Sequence, residues 1–149
     1  IIINFFCIFN KNIDGNDSVN FHDVSRLEIV RITRVIRIHN IDEIRQAINE
    51  ARANNLKISL AGVRHSQGGQ SYVTNGIVLD MTSYSRVLHL NSSTRIITVE
   101  SGATWEHVQA AANQVNLAVE VMQSSNIFTL LHHEGYSSMN RKQLVNTII

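Results

Sequence analysis

A chain of 149 residues with 44% hydrophobic and 17% charged side chains and a formal net charge of +1 has the size of one ordinary domain, enough to bury about two thirds of its unfolded surface. This balance excludes a disordered chain, and the near-neutral charge excludes an electrostatic nucleic-acid binder, so the expected partner is a small molecule. The single Cys7 cannot close an internal disulfide, and the redox compartment stays open on that count.

The chain begins with Ile, and Ile1 to Phe9 is a short apolar run interrupted by Asn4. It falls far short of the roughly 20 residues that span a bilayer, so no membrane span is expected. Its length suits the apolar part of a secretory signal, although a preceding positive region and a small-residue cleavage site are missing. The run is therefore either the remnant of a cut signal or a buried strand, and cytoplasmic and exported locations both remain open. Residues 10 to 23, rich in Asn, Asp, Gly and Ser, read as a flexible linker.

From Ile29 the pattern becomes regular. Thr33 to His39 sets Val35, Ile36 and Ile38 among arginines, a β-branched strand pattern. Between Asp42 and Asn55 the spacing of Ile44, Ala47, Ile48 and Ala51, with Ile41 just ahead, predicts a helix; Asp42 and Glu43 lie at its positive end and Asn54-Asn55 close it. Lys57 to Ala61 is the next strand, and it leads directly into a glycine-rich loop. Further strands are expected at Ile77 to Met81, Val87 to Leu90 and Arg95 to Glu100, with Asn91-Ser92-Ser93 as a hairpin turn. Thr104 is placed to cap a helix whose apolar stripe is Trp105, Val108, Ala111, Ala112 and Val115, and that helix should pack on the sheet, with Trp105 in the packing.

Residues 61 to 70, Ala-Gly-Val-Arg-His-Ser-Gln-Gly-Gly-Gln, carry the strongest chemical signal. Glycines permit positive φ and close backbone approach, so successive amides can face one concavity and hold an anion. Within that stretch stand a cation (Arg64), a nucleophilic imidazole (His65) and a small hydroxyl donor (Ser66). Familiar motifs do not fit. No Lys follows Gly68 or Gly69 as a P-loop requires, Gly62 does not begin Gly-x-Gly-x-x-Gly, and Arg64 stands where a hydrolase elbow needs its first glycine. A serine hydrolase built on Ser66 and His65 is further disfavoured, because adjacent loop residues rarely present nucleophile and base to one another. Delivery of the loop at the carboxyl end of a strand matches where open sheets leave room for ligands.

The order Gly62 to Gln70, then Asn75-Gly76-Ile77-Val78-Leu79-Asp80-Met81, Arg86-Val87, Ile97 to Trp105 and Asn116 to Val119 resembles the first FAD-binding segment of the vanillyl-alcohol oxidase superfamily. That group of FAD-linked oxidases, with a PCMH-type FAD-binding domain, includes cytokinin dehydrogenases, aldonolactone oxidases and alditol oxidases. The resemblance implies an α+β fold, the N-terminal lobe of such a domain, with a small mixed sheet and flanking helices. It also implies FAD as cofactor. Ala61, Gly62, Val63, Arg64, His65 and Ser66 would face the FAD pyrophosphate, while Gly68, Gly69 and Gln70 would continue the turn around it. His65 matches a histidine that in many members is joined covalently to the flavin 8α-methyl carbon. The implied reaction is hydride transfer from an alcohol-type substrate, with the flavin supplying the chemistry.

The similarity covers roughly Val24 to Thr129, giving an expected division into residues 1–23 as apolar run and linker, 24–129 as a partial FAD-binding domain, and 130–149 as a divergent tail. Where the family continues with a glycine pair and a His-Gly segment, this sequence reads Leu130-Leu131-His132-His133-Glu134-Gly135-Tyr136. Hence a truncated or frame-shifted fragment is expected, the rival being a non-catalytic module that keeps the sheet and binds no flavin. His132, His133 and Glu134 do not make a metal site by spacing, since adjacent histidines diverge on a helix or a strand. Asn140 to Gln143 reads as a solvated face.

Overall fold

The computed structural model describes residues 18–66, 69, 71–119, 126, 127, 129–132, 147 and 148. The apolar run at Ile1 to Phe9, most of the expected linker, and His133, Glu134 and Asn140 to Gln143 lie outside the described residues. The end of that linker is structured, because β1 (Val19–Phe21) pairs antiparallel with β2 (Val30–Ile32), Val19 opposite Ile32. These strands are too short to show a period in sequence. They form because their apolar residues have a sheet to cover.

That sheet is parallel and three-stranded, in the order β3 (Arg34–Arg37), β5 (Ile77–Asp80), β4 (Ile58–Ala61). The expected strand–helix–strand unit is present, with α1 (Ile41–Ala53) between β3 and β4, but β5 slots between its two strands. The helix starts where Asn40 accepts hydrogen bonds from the Asp42 and Glu43 amides, both at 3.0 Å, and ends at Asn54 followed by Asn55 at φ 52°. Short polar side chains tolerate that left-handed turn.

A parallel sheet is stable when both faces are covered, and here two different elements do so. On one face Ile77 and Leu79 pack with Ile38, Ala47 and Ala51 of the α1 side. On the other, Val78 and Ala61 pack with Ile32 and Tyr72, joined by Phe21 and Val30 of the β1–β2 hairpin. Burial of β5 is complete over Ile77, Val78 and Leu79, each 0–1% exposed.

After β5, the chain forms an antiparallel hairpin of β6 (Val87–Asn91) and β7 (Ile96–Val99), with a bulge between Val87 and His89. Its turn is held by Asn91 Oδ1, which accepts the Ser93 and Thr94 amides at 3.0 Å, as the sequence predicted for Asn91-Ser92-Ser93. A short strand β8 (Thr147–Ile148) runs parallel to β7. The second helix, α2 (Trp105–Asn113), is capped by Thr104, and His107 closes a capping box in place of the usual Glu or Gln, its Nδ1 accepting the Thr104 amide at 3.0 Å. Trp105 and Val108 pack with Val99 and Ala103, whereas Val115 lies past the helix end and is 39% exposed. Architecture and class match the expected α+β lobe with small sheets and flanking helices.

The two halves meet where backbone presses on backbone. Gly102 N donates to Tyr84 O at 2.8 Å, and a Cβ on Gly102 would stand 1.7 Å from Met81 O and 2.6 Å from Tyr84 O. Gly102→Ala should therefore lower stability by about 3 kcal/mol, the upper part of the overpacking range, because carbonyl oxygens rather than a flexible side chain must move. A urea midpoint unchanged from wild type would contradict that close contact.

Candidate functional site

Register across the parallel sheet puts Arg37, Asp80 and Ala61 level at its carboxyl end. From there β4 runs straight into residues 62–66, and Met81 N donates back to Ala61 O at 2.8 Å, so the loop's first residue is fixed by the ladder. Asp80 is held by Thr82, through Oγ1 at 2.6 Å and N at 3.0 Å, and by Arg37 at 3.2 Å. Burial pushes the Asp80 carboxyl up, but these donors outweigh it and hold the group below its ordinary range.

Gly62 is glycine because Thr129 occupies the space of a side chain: a Cβ there would lie 2.0 Å from Thr129 Oγ1. Thr129 is 1% exposed, and its hydroxyl makes no hydrogen bond among the described residues. It is delivered from the far half of the chain by a bridge to Thr104 and by Leu130 N donating to Ala103 O at 2.8 Å. Leu130 and Leu131, which stand where the resembled family has its glycine pair, pack against the two cores.

Arg64 adopts φ 61°, a left-handed conformation that costs a non-glycine residue about 1–2 kcal/mol. Two contacts offset it. Its carbonyl accepts the Val24 amide at 2.8 Å, and its guanidinium lies 5.3 Å from the centre of the Phe21 ring. Arg64 joins no salt bridge among the described residues. The backbone N–H groups of Gly62, Val63, Arg64 and Ser66 donate to no described backbone acceptor. His65 is exposed at the loop tip. Ser66 Oγ and Tyr72 OH are both buried and lie beside each other. Burial raises the Tyr72 phenol above its ordinary range; Ser66 and Arg64 oppose that rise and Asp23 adds to it.

Gly69, at φ 69°, completes the described part of the loop, while Gly68 and Gln70 lie outside the described residues. Its amide is taken by the carboxylate of Asp23, at 2.9 Å. Sequence reasoning missed Asp23, which it assigned to the linker, and also Tyr72 and Thr129. Among the described residues no group of three or more His, Cys, Asp or Glu could hold a metal ion, and no helix is long and apolar enough to cross a membrane.

Amides that donate to no described backbone acceptor, a Cβ-less glycine, a guanidinium in no salt bridge among the described residues and buried hydroxyls suit a diphosphate, which offers only acceptors and negative charge. The loop also stands at the carboxyl end of a parallel sheet, where open sheets leave room for ligands. A family model described as FAD binding domain matches residues 32–131, and the chain belongs to that family. It is 30% identical over 77 residues to an uncharacterized oxidoreductase of the fasciation locus of Rhodococcoides fascians, an alignment covering 52% of this chain and 17% of that protein.

Solved structures with the same fold include cholesterol oxidase from Brevibacterium sterolicum, at TM-score 0.62 and 15% identity over 76% of this chain and 22% of the oxidase. Another is alkyldihydroxyacetonephosphate synthase, at TM-score 0.57 and 15% identity over 65% of this chain and 19% of the synthase. The chain thus spans about a fifth of the length of these proteins.

An ion pair between an exposed guanidinium and a buried carboxylate closes the base of the β6–β7 hairpin. Glu100, 0% exposed, accepts from Arg86 Nε at 2.9 Å, Nη2 at 2.6 Å and N at 2.8 Å. Burial pushes the Glu100 carboxyl up, yet the Arg86 hydrogen bonds prevail and hold it below its ordinary value of 4.5. A carboxyl depressed on folding contributes stability that is complete above the unfolded pKa and is lost as pH falls through the folded one. In thermal melts from pH 7 downward, the wild type should lose its advantage over Glu100→Gln only below about pH 4.5. An advantage independent of pH would contradict the assignment.

Proposed function

We propose that this chain is the pyrophosphate-binding part of an FAD-dependent oxidoreductase, with residues 24–129 forming the partial cofactor domain and Ala61 to Gln70 the loop that holds FAD. The observation that carries this reading is that the amides of Gly62, Val63, Arg64 and Ser66 donate to no described backbone acceptor, next to a glycine whose missing Cβ lets Thr129 approach. Arg64 supplies positive charge, and the Ser66 and Thr129 hydroxyls supply further donors. His65, exposed at the tip of the same loop, is the residue we assign to a covalent tether on the flavin. Bound FAD would supply acceptance of a hydride from an alcohol-type substrate. The residues of this chain contribute binding, charge neutralisation and orientation, and a substrate-binding region would have to come from elsewhere in the whole enzyme.

One observation favours a second reading, a module that keeps the sheet without binding flavin: Leu130 and Leu131, partly buried, pack against the core clusters where the resembled family has its glycine pair. Expression with added FAD followed by acid precipitation separates the two. A yellow, fluorescent pellet from the wild type that becomes colourless in His65→Ala, with soluble flavin binding retained, is the expected result. Absence of flavin in both the soluble and the precipitated wild type would favour the flavin-free module. For Gly62→Ala, whose new methyl meets Thr129, FAD affinity should fall about tenfold or more, equivalent to roughly 1.4 kcal/mol; fluorescence quenching of FAD measures it.

A further inference from the structure

The carboxylate of Asp23 is 1% exposed and lies in none of the segments that suggested a cofactor. Its Oδ1 accepts Ser25 Oγ at 2.5 Å and Arg26 N at 3.1 Å, and its Oδ2 accepts Gly69 N at 2.9 Å. A buried carboxylate is tolerated only when donors surround it, and these donors come from two places, its own turn and the far end of the glycine loop. The next residue adds a second tie: Val24 N donates to Arg64 O at 2.8 Å. Phe21, two residues before Asp23, lies under the Arg64 guanidinium and meets Tyr72 edge-on at 4.8 Å. Phe21 to Val24 therefore grips the loop at Arg64, Gly69 and Tyr72.

The grip is selective in what it leaves open. It uses the amide of Gly69 and the carbonyl of Arg64, and it leaves the N–H groups of Gly62, Val63, Arg64 and Ser66 undonated to described backbone acceptors. A loop with a non-glycine residue at φ 61° would relax if released, and its amides would turn to water or to each other. We propose that Asp23 is the positioning residue of the cofactor loop: by fixing Gly69 and, through Val24, Arg64, it holds residues 62–66 in the arrangement that presents their amides to a diphosphate. This rests on the reading that residues 62–66 bind FAD. Asp23 itself touches no cofactor; it sets the fraction of molecules whose loop is competent to bind.

The test uses the full chain and FAD, with wild type, Asp23→Ala, Asp23→Asn and Ser25→Ala. Affinity is read by FAD fluorescence, and hydrogen exchange is read at the loop amides and at those of β5. Asp23→Ala should bind FAD about tenfold or more weakly, because a smaller competent fraction weakens apparent affinity in proportion. Exchange at Gly69 should quicken while Val78 and Leu79 stay protected, which separates loop release from global destabilisation. Asp23→Asn, which keeps one acceptor oxygen, should fall between, and Ser25→Ala should stay within about twofold of wild type because it leaves the Gly69 bond in place. Should Asp23→Ala not fold, the isosteric Asp23→Asn carries the measurement. Wild-type binding with unchanged affinity in the Asp23 variants overturns the positioning role alone. A wild type that binds no FAD overturns the cofactor reading and this inference with it.

Discussion

The central strand of the parallel sheet constrains everything around it. β5 is paired on both edges and buried on both faces, so its neighbours can neither slide nor tilt without exposing Ile77, Val78 and Leu79. A one-residue slip would turn every side chain to the opposite face. The level alignment of Arg37, Asp80 and Ala61 follows from that immobility, and it gives the glycine loop a fixed point of departure. Site geometry is inherited from strand register before any loop residue is considered.

Covering the two faces of that strand requires two elements, and each has a second task. The helix α1 covers one face and carries the chain across to β4. The β1–β2 hairpin covers the other, and Asp23 and Val24 in the connection between its strands reach the loop. Covering the sheet and shaping the site are thus the same packing event on the hairpin side. On the opposite side, backbone contact at Gly102 joins the segment after β5 to the chain leading into α2, while the Arg86–Glu100 pair closes the base of the β6–β7 hairpin; the residues that follow place Thr129 over Gly62. The loop is approached by residues from both directions of the chain.

Elements whose signal is local were legible in the sequence. The helical spacing of Ile44, Ala47 and Ala51, the cap at Thr104, the turn at Asn91 and the apolar run at Ile77 to Leu79 each declare themselves within a few residues. Contacts that exist only after folding were not legible. Val19–Phe21 and Val30–Ile32 are three-residue strands without a readable period, and Asp23, among Asn, Ser and His, has the composition of a turn. Its burial arises from Gly69, far along the chain. Thr129 marked the end of a resemblance without any sign that its hydroxyl would fill the place of a Gly62 side chain. Gly69 was read as part of the cradle, and its φ of 69° is indeed the glycine conformation; what sequence could not show is that its amide faces Asp23.

Arg64 shows why a glycine loop should carry an arginine at a left-handed position. Glycine there would relieve backbone strain, but it would leave the loop free to sample other turns and would remove the positive charge. With arginine, the strain is met by the Val24 hydrogen bond and by the Phe21 ring, both from the same hairpin. The charge is then held in place by contacts that do not neutralise it, since a ring face and an amide satisfy the residue without a carboxylate. A cation without a counter-ion and amides without backbone acceptors among the described residues are groups that an anionic ligand can exploit. Preorganisation of that kind lowers the ordering cost of binding, and here it is supplied by the hairpin.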